Sequence, residues 1–264
     1  RKYQWGVTPL ALHGVVAKKD GEIVELHVGE EAGDPVFCVT DLLPHLGAEQ
    51  SKRPLGEGLK GEELNILVGS LPYADEEVKN RVKLQTLALL NERFVRAEIE
   101  AVPAVKATDV GFDRSMIGAY GHDDRVCAYT ALRAELDVKT PQHTSVCVLT
   151  DKEEVGSDGT TGLNSEYVFH FLGYLADIQG ANYRMMLQNS KCLSADVSAA
   201  FDPTFPDVME KNNASYMNRG VCLTKYTGAY GKSSTNDAPA ELMGFVADIL
   251  DDAGVIWQTG ELGK

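Results

Sequence analysis

The chain has 264 residues, enough for one large domain or two modest ones, and carries a formal net charge of −14. An acidic surface of that size argues against nucleic acid or anionic membranes as principal partners and suits solubility and cation binding. No apolar run approaches the roughly 18 residues a membrane span requires, and the chain does not open on a secretory signal.

Residues 7–28 alternate in the β manner on either side of Asp20-Gly21, a strong hairpin signal. Residues 36–46 read as a short strand and a helical turn, 47–61 as a polar, glycine-rich surface loop, and 63–68 as a further strand. From Asp75 to Phe94 apolar residues recur at helical spacing, with Asp75 as the expected N-cap. Residues 95–101 alternate as a half-exposed strand that Pro103 ends.

After Thr108 the pattern changes. A loop carrying Gly111, Gly118 and Gly121 leads to Asp123-Asp124 and a helix from Arg125 to Leu136. Strand 145–150, helix 165–179, strand 191–197, strand 220–226, helix 238–252 capped from Ser234-Thr235-Asn236-Asp237, and a strand starting at 255 follow in turn. Strand and helix alternate at α/β spacing, whereas the first hundred residues favour antiparallel pairing. The composition break lies near 100–110. The five cysteines are scattered singly in apolar segments and read as reduced core residues of an intracellular protein.

Three acidic positions occupy element ends: Asp123 where a loop enters a helix, Glu153-Glu154 after one strand, and Asp196 at the end of another. Parallel strands would bring these loci together at their carboxyl tips. Oxygen donors in that number suit divalent cations, and a carboxylate shared between two ions is the hydrolytic two-metal arrangement. The plainer alternative makes Asp123 and Asp124 helix caps and Asp196 a turn residue. Composition and spacing leave both open.

The boxes Gly121-His122-Asp123-Asp124-Arg125-Val126-Cys127, Leu149-Thr150-Asp151-Lys152-Glu153-Glu154-Val155-Gly156-Ser157 and Leu193-Ser194-Ala195-Asp196-Val197-Ser198 resemble those of the M18, aspartyl-aminopeptidase-like zinc exopeptidases, in particular the bacterial branch. Flanking stretches, Asp41-Leu42-Leu43-Pro44-His45-Leu46 and Lys225-Tyr226-Thr227-Gly228, agree. The resemblance implies an α/β zinc-exopeptidase catalytic domain (residues 1–5 and 106–264) with a β-rich dimerisation domain inserted at 6–105. It implies Asp123 bridging two zinc ions, a cis peptide between Asp123 and Asp124, Glu154 on one zinc, Asp196 on the other, and Glu153 as general base. It also implies peptide substrates, assembly from dimer to dodecamer, and a cytoplasmic setting. On this reading the carboxylates converge and Glu153 faces them rather than bulk water.

Two departures stand against a complete site. The family's metal histidines are expected before residue 1 and after residue 264, and no histidine follows His170. Ala199 stands where many members carry a histidine. His122 beside the bridging aspartate is a poor substitute. The competing expectation is therefore a catalytically incomplete scaffold or assembly subunit of the same fold.

Overall fold

The computed structural model describes residues 5–89, 94–226 and 236–261. The chain divides into two compact units, Arg1–His122 and Asp123–Lys264. Among the described residues no helix is long and apolar enough to cross a membrane.

The first unit is built on a three-stranded antiparallel sheet. Strand β1 (Leu10–Lys18) turns at Lys18–Glu22 into β2 (Ile23–Val28), where Lys18 N donates to Glu22 O at 2.8 Å and Gly21 takes φ +92°. The Asp-Gly signal works here because that left-handed position favours glycine. Small strands β3 (Cys38–Val39) and β4 (Ile66–Leu67) pair with each other. Helix α1 spans Arg81–Leu89, and β5 (Phe94–Pro103) returns to the free side of β1, giving the order β2-β1-β5. Ala11, Val39 and Val102 form the buried centre of this unit.

Helix α1 starts six residues later than the sequence pattern suggests. Asn80 sits at φ 57° and interrupts any helix upstream, while Asp75 accepts from Glu77 N at 3.0 Å in a local turn rather than capping. Residues 90–93 of the expected helix lie outside the described residues, and Phe94, its expected last residue, already belongs to β5. The polar loop after residue 47 is pinned: both terminal nitrogens of Arg53 bind the Glu63 carboxylate, at 2.8 and 2.9 Å. A hairpin of β6 (Thr108–Val110) and β7 (Met116–Gly118) occupies what reads as a glycine-rich loop.

The second unit is α/β. Helix α2 (His122–Asp137) becomes regular only after Asp124, since Asp123 and Asp124 have non-helical backbone angles. Helices α3 (Tyr167–Gln179) and α4 (Tyr183–Asn189) follow, the latter capped by Asn182, whose side chain accepts from Met185 N at 3.1 Å. Strands β8 (Val221–Leu223) and β9 (Trp257–Thr259) pair in parallel, with α5 (Ala240–Asp252) between them in sequence. Parallel neighbours joined through a helix are what the α/β alternation calls for. Pro239 occupies the N-cap of α5, which starts two residues later than expected; of the expected capping segment, Ser234 and Thr235 lie outside the described residues. Ala176, Met209 and Ala214 are the buried apolar residues here.

Two predicted strands do not form ladders: 145–150 and 191–197 have no paired strand among the described residues. β-type composition supplies propensity, but a strand exists only where another backbone satisfies its amides and carbonyls. The cysteines are free, as expected, but none is buried; Cys192 is exposed and the other four are partly so. Their apolar sequence surroundings do not amount to a core in this chain.

Candidate metal centre

Glu153 and Glu154 sit in a 3₁₀ turn, Glu153–Val155, bracketed by left-handed residues on both sides. Lys152 has φ 67° and ψ 18°, Gly156 φ 104° and ψ 13°, and Ser157 φ 58°. Ser157 N donates to Lys152 O at 2.7 Å, which folds the turn back on itself. Asn164 then clamps the loop, its backbone N donating to Ser157 O at 3.0 Å and its side-chain Nδ2 to Gly156 O at 2.9 Å. Asp151 N donates to Thr161 O at 3.1 Å and closes the base.

Asp123 and Asp124 are joined by a cis peptide, as the family resemblance implies. Both carboxylates lie in the first turn of α2, where the helix-cap alternative also places them. Asp196 accepts from Val197 N at 2.6 Å, a local contact that the turn alternative shares.

The same carboxylates bear on one another's proton affinity. The Glu153 carboxyl is pushed above the usual glutamate range, first by partial withdrawal from water and then by the negative charges of Glu154, Asp196, Asp123 and Asp124. The Cys127 thiol is pushed up by partial burial and then by Asp124, Asp196 and Asp123. One turn of α2 separates Cys127 from Asp123 and Asp124, a spacing that sequence reading passed over when it assigned the cysteine to the core.

These carboxylates gather without closing around a point. Among the described residues no three His, Cys, Asp or Glu side chains stand close enough together to hold an ion as they are. Glu153, Glu154, Asp123 and Asp196 are all exposed, against the expectation that Glu153 would be turned from solvent. For Glu153 the partial withdrawal from water concerns its carboxyl, and the residue as a whole remains open. In charge and donor type the cluster fits a divalent cation, because like charges held together are relieved by a positive ion between them. In spacing it does not yet do so. A cavity of about 730 Å³ lies alongside, lined in part by Val146, Val148, Asp151, Gly162, Val168 and Phe171.

Comparison with known proteins supplies the context. The family model for aminopeptidase I zinc metalloproteases (M18) matches residues 1–264. The chain is 49% identical over 275 residues to the "Probable M18 family aminopeptidase 1" of Clostridium acetobutylicum, covering 100% of this chain and 59% of that protein. The crystal structure of an M18-family aminopeptidase from Thermotoga maritima superposes with TM-score 0.90 at 45% identity, over 100% of this chain and 60% of that one. A dodecamer of S. cerevisiae mApe1, at 19% identity and TM-score 0.62 over 98% and 58%, shares the fold. The chain thus spans about three fifths of the length of the relatives it matches. With a match over its full length, and identities near one half, the chain belongs to the M18 family of zinc metalloproteases.

Proposed function

We propose that this chain is the part of a metal-dependent aminopeptidase that supplies the carboxylates of a dinuclear zinc site: Asp123 between the ions, Glu154 on one and Asp196 on the other. The observation that carries the proposal is the gathering at Glu153 of four carboxylates drawn from three separate segments, which together raise its proton affinity. Such a gathering disfavours the chain by itself and favours a bound cation. Zinc, when bound, acidifies water and polarises a carbonyl.

The chain's own contribution to the reaction is proton handling. Glu153, held in its turn beside the cluster, takes a proton from the attacking water and gives it to the departing amine of an N-terminal peptide bond. A carboxyl whose proton affinity is raised is better matched to both halves of that transfer than an ordinary glutamate. Residues 6–105 serve as the dimerisation domain, offering the outer strands β2 and β5 of an open sheet, and assembly proceeds to larger homo-oligomers. The free cysteines agree with a reducing cytoplasm.

The test uses the full-length protein, measuring zinc content and release of N-terminal residues from peptides. Glu153→Gln is expected to keep its zinc and lose kcat by roughly 10²–10⁴-fold, while Asp196→Asn loses metal. Activity that survives complete chelation, or a Glu153→Gln enzyme of undiminished kcat, refutes the assignment. A second reading, an incomplete assembly subunit, rests on the absence of any ready metal-binding trio among the described residues. It predicts a stable oligomer by native mass spectrometry with no zinc and no hydrolysis.

A further inference from the structure

Asp196 stands near the end of a stretch, residues 191–197, that has no paired strand among the described residues. Backbone without a ladder holds its side chains loosely unless something close by ties it down. The tie for this stretch is Ser215. It is 4% exposed, and it is the one buried polar residue of the second unit among the described residues. Its hydroxyl donates to Ala199 O at 3.0 Å and stands 3.3 Å from Ser198 Oγ. Its carbonyl accepts from Phe201 N at 2.8 Å, and the residue forms a parallel bridge with Ala200. A serine hydroxyl has one proton. With that proton on Ala199 O, Ser198 is the donor of the hydroxyl pair.

Ser215 is itself fixed from behind. Tyr216 N donates to Gln258 Oε1, and Gln258 Nε2 donates to Tyr216 O, both at 2.9 Å. Gln258 belongs to β9 and lies opposite Cys222 of β8. Just before Ser215, Asn213 O accepts from Glu261 N at 2.7 Å. Gly260 closes the space, since a Cβ placed on it would meet both Ser215 Cβ and Ser215 N at 3.2 Å. The buried serine therefore carries the rigidity of the β8–β9 pair to residues 198–201.

We propose that Ser215, acting through Ser198, is a positioning residue for Asp196: it sets where that carboxylate stands, and with it the affinity for the zinc ion that Asp196 holds. The inference rests on the metal role given to Asp196 above. Two residues of chain reach about 7 Å at most, so a fixed Ser198 leaves Asp196 on a short tether. A working metal ligand has to be held to within about 0.5 Å, which a stretch without a ladder does not achieve alone. Ser198 and Ala199 are exposed, so water takes over their hydrogen bonds when the Ser215 hydroxyl is removed. The fold survives that loss; the placement of Asp196 does not.

The full-length protein is loaded with zinc and titrated with a chelator, and the ions retained are counted by native mass spectrometry. Ser215→Ala is expected to release one of the two ions at a free zinc concentration roughly tenfold to a hundredfold higher than the wild type does. The other ion stays, and circular dichroism reports an unchanged fold. Ser198→Ala, at an exposed position, cuts the same tie without opening the interior and should weaken the same ion. The double variant should be no weaker than Ser215→Ala alone, and Ser198→Thr, which keeps the hydroxyl, should bind as the wild type does. Asp196→Asn is the control. If it keeps both ions, the metal role of Asp196 falls and this inference falls with it. If it loses an ion while Ser198→Ala and Ser215→Ala hold theirs at wild-type affinity, or if Ser198→Thr is as weak as Ser198→Ala, the metal role stands and Ser215 is reduced to a packing residue.

Discussion

Gly162 is the residue on which the geometry of the Glu153-Glu154 turn can be tested without touching a carboxylate. It is buried at the base of the loop. A Cβ placed on it would lie 2.1 Å from Ser157 O, 2.4 Å from Ser157 C and 2.8 Å from Asp158 O. All three are backbone atoms, so no side chain can swing aside, and the loop must move. Ser157 O is also the acceptor for Asn164 N, and the neighbouring Thr161 O accepts from Asp151 N. Overpacking of this kind costs about 1–3 kcal/mol. At about 1.4 kcal/mol per factor of ten, Gly162→Ala should speed hydrogen exchange at the Asp151 and Asn164 amides by roughly five- to a hundredfold. The amides of β1 and β5, in the other unit, should exchange as before. If Asp151 and Asn164 exchange at wild-type rates in the variant, Gly162 does not hold this turn and the described closure is wrong.

Two further outcomes follow from other parts of the chain. Asn182→Ala removes the side-chain acceptor for Met185 N, and should lower the stability of the second unit by about 1 kcal/mol in urea melts; an unchanged midpoint would show that α4 does not need its cap. Arg53 holds Glu63 at a pKa of about 2 through paired hydrogen bonds, with the Lys60 backbone N adding a third. Because the folded value lies below the unfolded one, the stabilisation is full above about 4.5 and is lost as pH falls through about 2. The Glu63 carboxyl carbon should titrate near 2 by NMR, moving up toward the ordinary glutamate range in Arg53→Ala; a midpoint that ignores the arginine would refute the pairing.

Elements whose sequence signal is self-sufficient were legible. The β1–β2 hairpin announces itself through Asp20-Gly21, and α2, α3 and α5 through apolar residues at helical spacing. Helix α4 went unread because seven residues give under two turns of periodicity, leaving only its Asn182 cap as a sign. The β6–β7 hairpin was hidden by the glycines around it. Segments 145–150 and 191–197 failed in the opposite sense: their β character is plain, yet a ladder depends on a neighbouring backbone that no local pattern encodes.

At the site, the order of the three acidic boxes was readable and carried the family. The proximity of Cys127 and Asp124 to Asp196 is a tertiary fact and was not. The spacing of the carboxylates was also beyond reach of the sequence, since it depends on how the loops around them settle.

The left-handed bracket at Lys152 and Gly156 has a consequence for how this loop tolerates change. Its curvature is written in main-chain torsions and in the Asn164 clamp, none of which involves the acidic side chains it displays. The two glutamates are therefore passengers on a preformed scaffold. Exchanging either for its amide should alter the chemistry on offer at that corner while the frame beneath keeps its shape.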